Sequence, residues 1–172
     1  ERLDYTVTFD LNGASGVVPS EQTHFYGEEI QRPNNPTRDF YEFVEWNTSA
    51  DGTGTTWDFV NMMMPDENIT LYAIWDIQAP TVDPSEPGAT CITGEGDPGS
   101  TIIIHDKEGN VVGTVVVSPD GTWEVCDLDP NIPGNVDVDQ TTPDGNTSES
   151  VPLHTVNYVT NGADSATPEG QF

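Results

Sequence analysis

The two ends of this 172-residue chain carry the same run of residues. Thr6-Val7 returns as Thr155-Val156, 149 positions on, and Asn12-Gly13-Ala14 returns as Asn161-Gly162-Ala163. Pro19 and Gln22 return as Pro168 and Gln171, and Phe9 is answered by Tyr158. Matches that keep their spacing through a strand, a turn and beyond mark a tandem unit. The expected organisation is one complete cassette followed by the opening of the next copy.

Within the cassette the dominant period is two. Tyr5, Val7, Phe9 and Leu11 alternate with Thr6, Thr8 and Asp10, so one face is apolar and the other polar. Asn12-Gly13 then supplies a turn. Gln22–Tyr26, Tyr41–Trp46 and Ile69–Trp75 read as further strands, the last with Ile69, Leu71, Ala73 and Trp75 on one side. No window holds a convincing helical period; the best candidate is a short turn around Pro36–Phe40. From Ile77 to Pro87 the chain becomes proline-rich and polar, which predicts a semi-rigid linker leading into a new edge strand. Beyond it, turn dipeptides punctuate short runs. Pro98-Gly99 precedes Thr101–His105, Glu108-Gly109-Asn110 precedes Val111–Val117, and Asp120-Gly121 precedes Trp123–Cys126. This spacing predicts an all-β chain whose second module is an immunoglobulin-like β-sandwich. The expected domains are residues 1–76, 77–152 (with 77–87 as linker) and 153–172, the last being the first strand of a further module.

Only 34% of the residues are apolar, so the core must be shared between small modules. Thirty acidic residues face four basic ones, a formal charge of −26. Such a surface repels phosphate backbones and anionic headgroups, which excludes nucleic acid and direct membrane contact as partners. It suits a solvated, secreted surface with few sites for trypsin-like proteases. No run approaches the roughly 20 apolar residues of a membrane span, and no signal peptide opens the chain, so a piece of a longer protein is expected.

The ordered set Tyr5-Thr-Val-Thr-Phe9, Asn12-Gly13, Pro36-Thr-Arg-Asp39, Tyr41-Glu-Phe43, Trp46, Thr56-Trp57-Asp58-Phe59 and Ile69-Thr-Leu-Tyr-Ala-Ile-Trp75 resembles the Listeria–Bacteroides repeat family, the B-repeat type of internalin-like surface proteins. That resemblance implies a small β-grasp-like sheet over roughly residues 4–76. Two glycines of the family pattern are replaced, by Phe40 or Tyr41 and by Glu45, which puts the local turn geometry in question there. Ile92-Thr-Gly94, Asp97-Pro-Gly99, Asp106 to Gly113, Asp120-Gly-Thr-Trp123 and Asp144-Gly-Asn-Thr-Ser148 resemble bacterial immunoglobulin-like repeats of biofilm and adhesin proteins, over residues 79–151. Both families occur in tandem on long secreted proteins.

Residues with chemical potential are sparse. Cys91 and Cys126 are the only cysteines; in an exported protein an even pair suggests a structural disulfide, and two inert thiols are the alternative. A bond closing that loop would contribute roughly 3–4 kcal/mol. His24, His105 and His154 are scattered without zinc spacing and read as strand or surface histidines. Asp127-Leu-Asp129-Pro-Asn131 opens like a calcium loop but meets Val138 where the closing glutamate belongs. Asp76 with Asp83, or Asp106 with Glu108, could hold calcium at a joint or hairpin; turn-forming aspartates in water are the plainer reading. Trp46, Trp57, Trp75 and Trp123 read as core anchors before they read as a carbohydrate platform. No catalytic residues, resident cofactor or metal site stand out. The expected function is a non-catalytic stalk or fibre element of a bacterial cell-surface protein. The alternatives are direct adhesion to a host protein, a glycan or another copy, which exposed Trp46 or Trp57 would favour, and an accessory module of a secreted enzyme. Residues 154–172 hold one strand of a module that needs several, so they are expected to pair with a sheet edge of the same chain or, by self-association, of a neighbouring molecule.

Overall fold

The computed structural model describes residues 3–84, 90–128 and 135–154, and these form strands, turns and extended segments with no helix among them. The protein is all-β. Its first four strands, β1 (Asp4–Asp10), β2 (Gln22–Phe25), β3 (Tyr41–Asn47) and β4 (Ile69–Ile77), make one sheet in the order β2-β1-β4-β3. β1 and β4 lie side by side and parallel, from Val7 opposite Ile69 to Asp10 opposite Tyr72. β2 and β3 flank them antiparallel. The period-two pattern explains the register. Val7, Phe9, Leu71 and Ala73 are almost wholly buried, and together with Leu11, Ile30, Trp46, Trp57 and Met64 they form the core of this module. Phe9 meets the Trp46 ring edge-on at 5.1 Å. The β-grasp description remains an expectation of the resemblance, because the described residues supply the sheet and no helix across it.

Both positions where a family glycine is replaced have irregular backbone. Phe40 sits at φ +63°, a left-handed conformation that is strained for a bulky side chain. Beside Glu45 the β3–β4 register shifts, leaving Val44 bulged and more than half exposed. The Pro36–Phe40 segment, expected as a short turn, is irregular at first and turns at Asp39 and Phe40. It carries an isolated bridge between Arg38 and Tyr41, and the positive φ at Phe40 breaks any helical continuation. Ile77, placed in the linker by its composition, is the buried last residue of β4 and pairs with Tyr41.

After β3 the chain turns around a buried side chain. Asn47 donates from Nδ2 to Glu45 Oε1 (2.8 Å) and Gly52 O (3.3 Å), and its Oδ1 accepts from Ser49 N (2.9 Å). Replacing it with alanine strands these polar groups in a buried setting. We expect Asn47→Ala to cost about 2 kcal/mol. In calorimetry the first module's transition should fall by roughly 10 °C, with the second module's unmoved.

The second module comprises β5 (Ile92–Glu95), β6 (Thr101–His105), β7 (Val111–Val116), β8 (Thr122–Val125), β9 (Asn135–Thr141) and β10 (Val151–His154). A four-stranded sheet, β10-β9-β6-β7, faces the two-stranded sheet β5-β8. Ile92, Trp123 and Val125 of the small sheet pack on Ile102, Ile104, Val136 and Val138 of the large one, a second core separate from the first. Aspartates set the turns, Asp106 in the β6–β7 hairpin and Asp120 in the connection from β7 to β8. Asp106 Oδ1 accepts from the backbone N of Glu108 and Asn110, and Asp120 Oδ1 accepts from Thr122 N. These bonds, led in each case by one from a neighbouring side chain, hold both carboxyls below the usual carboxylate range.

Candidate functional site at the module joint

The structural feature that most bears on function is the contact between the two modules. Tyr41, the first residue of β3, donates from its hydroxyl to Asp97 Oδ2 in the second module at 3.1 Å. Ser100 Oγ donates to the same carboxylate oxygen at 3.0 Å. Burial, and then the negative charge of Asp97, push the Tyr41 hydroxyl above its ordinary pKa, so it remains a donor at any physiological pH. The Arg38 guanidinium lies 3.6 Å from the centre of the Tyr41 ring and fixes its orientation.

Gln140 completes the joint. Val136, Val138 and Gln140 share the inward face of β9, and Gln140 is fully buried. Its Nε2 donates to the carbonyl of Gln78 (2.7 Å), just beyond β4, while its Oε1 accepts from Asp97 N (2.9 Å). Gln78 N in turn donates to Phe40 O at 2.9 Å. The strained backbone at Phe40 places its ring against the second module, where a Cβ on Gly121 would lie 3.2 Å from Cζ. The linker is then laid along β5. Thr81 N donates to Glu95 O, Asp83 N to Thr93 O, and Glu95 N to Thr81 Oγ1, each at 2.9 Å. Linker, turn and strand end are thus tied to one another by directional bonds. A cleft of about 580 Å³ remains beside the joint, lined by Asn12, Arg38, Tyr41 and Trp75 from one side and Asp144 and Asn146 from the other.

The residues singled out by chemistry fall elsewhere. Cys91 and Cys126 flank the Ile92–Val125 pair of β5 and β8 and are bonded to each other, S–S 2.07 Å. Among the described residues one trio of potential metal-ligand atoms converges, Cys91, Glu124 and Cys126, and its sulfurs are joined rather than free thiolates. Asp106 is engaged by its own turn, and Thr93 Oγ1 donates to Asp83 at 2.8 Å. His24 meets Gln22 Oε1 (3.0 Å), and His105 meets the buried Asp139 carboxylate (3.0 Å). Trp46, Trp57 and Trp123 are buried, and Trp75 is half-buried with its Nε1 donating to Leu11 O at 2.8 Å. Asp129 to Asn131, the His154 side chain and residues 155–172 lie outside the described residues, and with them most of the incomplete calcium loop and the repeated strand.

No local pattern around Asp97 or Phe40 marks them as joint residues. Gln140 does carry a signal: Val136-Asp-Val-Asp-Gln140 alternates as a strand does, with a glutamine in the apolar register. A polar residue in a core register implies a buried partner.

Known proteins resemble the chain in two blocks. Residues 5–74 match the Listeria-Bacteroides repeat domain, and residues 78–157 match the bacterial Ig domain. Internalin H of Listeria monocytogenes is 38% identical over 93 residues, covering 54% of this chain and 16% of that protein. Serine-aspartate repeat-containing protein D of Staphylococcus aureus is 35% identical over 180 residues, covering 98% of this chain and 12% of that protein. The chain therefore spans only a small part of the relatives it matches. A solved structure, the BSP domain of a biofilm associated protein, gives a TM-score of 0.38 at 24% identity over 52% of this chain and 17% of that one, a likeness too slight for any comparison of residues. The two blocks follow the two cores in order, and the chain is a Listeria–Bacteroides repeat followed by a bacterial Ig domain.

Proposed function

We propose that this chain is a non-catalytic spacing segment of a bacterial cell-surface protein, with residues 1–77 and 78–154 as its repeating cassette, since Ile77 closes β4 and Leu153 and His154 belong to β10, and with the residues after His154 opening the next copy. The observation that carries the reading is the joint. A spacer must hold successive modules at a fixed angle, and the Tyr41–Asp97 and Gln140–Gln78 bonds with the Phe40–Gly121 contact supply that constraint. The charge of −26 adds repulsion between neighbouring surfaces over about a Debye length, which opposes collapse of the array. The match to an internalin and to proteins named as putative membrane proteins supports the same setting. Burial of Trp46 and Trp57 removes the aromatic platform on which direct adhesion at those positions would depend.

Small-angle scattering with calcium and with chelator tests this. The expected result is an elongated monomer of one shape in both conditions. A particle that loosens on chelation would replace the hydrogen-bonded joint by a metal-held one, and mass that grows with concentration would assign residues 154–172 to strand pairing between copies. Gln140→Ala removes both bonds of the buried amide at a cost of about 2 kcal/mol. Its scattering profile should show a spread of inter-module angles, and protease should reach the linker at residues 78–83. An unchanged profile would show that Gln140 does not hold the angle.

A further inference from the structure

A spacer that holds a binding tip at a distance also carries whatever tension the tip receives, and the topology of the first module bears on how it responds. The chain enters this module at the start of β1 and leaves it at the end of β4. These two strands are neighbours and run parallel, paired from Val7–Ile69 to Asp10–Tyr72. Tension applied to the ends therefore pulls β1 backwards and β4 forwards along their common axis. No bond of the pair can open first; the ladder between them is evenly spaced and loads together. Sliding must also drag Val7, Phe9, Leu71 and Ala73 out of register with the core they fill, and all four are at most 2% exposed. A one-step slip is not a low-energy alternative, since it turns every buried side chain towards the other face.

The other pairings in this sheet would respond differently. β1 and β2 form an antiparallel pair in which Asp4 lies opposite Phe25. Pulling residue 4 away from residue 26 opens that ladder like a zipper, one pair at a time. The same sheet thus holds a strong direction and a weak one, and the chain is threaded so that end-to-end tension falls on the strong one. The sequence repeats this entry, since the β1 pattern returns after β10.

We propose that the first module is a load-bearing clamp, with the parallel β1–β4 pair as the element that resists extension. The clamp rests on the spacing role for its use. Its physics does not.

The test is single-molecule pulling of the whole chain in two geometries. In the first, handles sit at the two termini. In the second, one handle is at the N-terminus and the other on Tyr26→Cys, a position 68% exposed just beyond β2. The modules are told apart by reduction. The Cys91–Cys126 bond locks a separation of 35 residues, so breaking it lengthens only the second module's step, by roughly 12 nm. The step that does not lengthen belongs to the first module. Its opening force should be about threefold higher end to end than in the zipper geometry, because three or four ladder bonds share the load instead of one. Equal forces in the two geometries would overturn the clamp and leave the scattering result of the spacer reading standing. A flexible joint in scattering would remove the spacer reading and leave the force ratio untouched.

Discussion

Gly94→Ala should unfold the second module at temperatures where the first stays intact. A Cβ on this β5 residue would stand 2.0 Å from the carbonyl oxygen of Thr81 and 2.7 Å from Trp123 Cζ2. The indole cannot yield, because Trp123 is 3% exposed at the centre of the second core. The carbonyl cannot yield cheaply either. It belongs to the linker segment held on β5 by the Thr81–Glu95 and Asp83–Thr93 bonds. Overpacking against backbone on one side and a packed aromatic on the other should cost about 3 kcal/mol. For a module of this size that is a fall of roughly 12–20 °C in Tm. Calorimetry should show two transitions moving apart, with only the lower one sensitive to the substitution. A shift below about 2 °C would mean that the linker does not lie against β5 in solution. A second variant separates linker from core. Thr81→Val keeps the shape and loses the hydroxyl that accepts from Glu95 N, and it should cost only about 1 kcal/mol.

Reduction of Cys91–Cys126 should have an effect of similar size by a different route. In the chain-entropy account, a crosslink over a separation of 35 residues removes conformations from the unfolded ensemble, and losing it costs about 4 kcal/mol. The loop so closed contains the whole of β5 to β8, including Ile102, Ile104 and Trp123 of the core. The double substitution to serine should therefore lower the second module's transition by more than 15 °C or so and leave the first module's in place. Native and reduced protein should have the same far-ultraviolet spectrum at low temperature. If the transition moves by only a degree or two, the staple is dispensable and the sandwich is held by its core alone.

The sequence made the first module legible because its strands are amphipathic in the simplest way. Tyr5 to Leu11 and Ile69 to Trp75 alternate cleanly, and their apolar sides are the buried sides. The limits of β6 are those that its flanking turn residues, Pro98-Gly99 and Glu108-Gly109-Asn110, imply. Three strands were not specified. β5 is four residues long and contains a glycine, β9 alternates but carries Asp137 and Asp139, a residue type depleted in strands, and β10 contains Pro152. In each, tertiary packing outweighs a weak local preference. The joint lay further out of reach. Its parts are contributed by a strand start, a linker carbonyl, an aspartate in the connection between two sheets and a residue near a strand end, and no local window contains more than one of them. Yet the sequence did mark two irregular places. Phe40 or Tyr41, and Glu45, stand where the resembled family carries glycine; the backbone turns left-handed at Phe40 and shifts register beside Glu45.

The pairing of β1 with β4 also governs when the first module can form. Val7 finds Ile69 only after the whole of β2, β3 and the intervening turns has been made. A chain emerging N-terminus first, from a ribosome or through a narrow channel, has no complete sheet to close until residues 69–77 are free. Closing so long a loop is slow, and it commits the module late. Until then β1 has at most the β2 hairpin beside it, which is marginal alone. The arrangement that sets the strands against tension in the finished protein keeps the nascent one threadable.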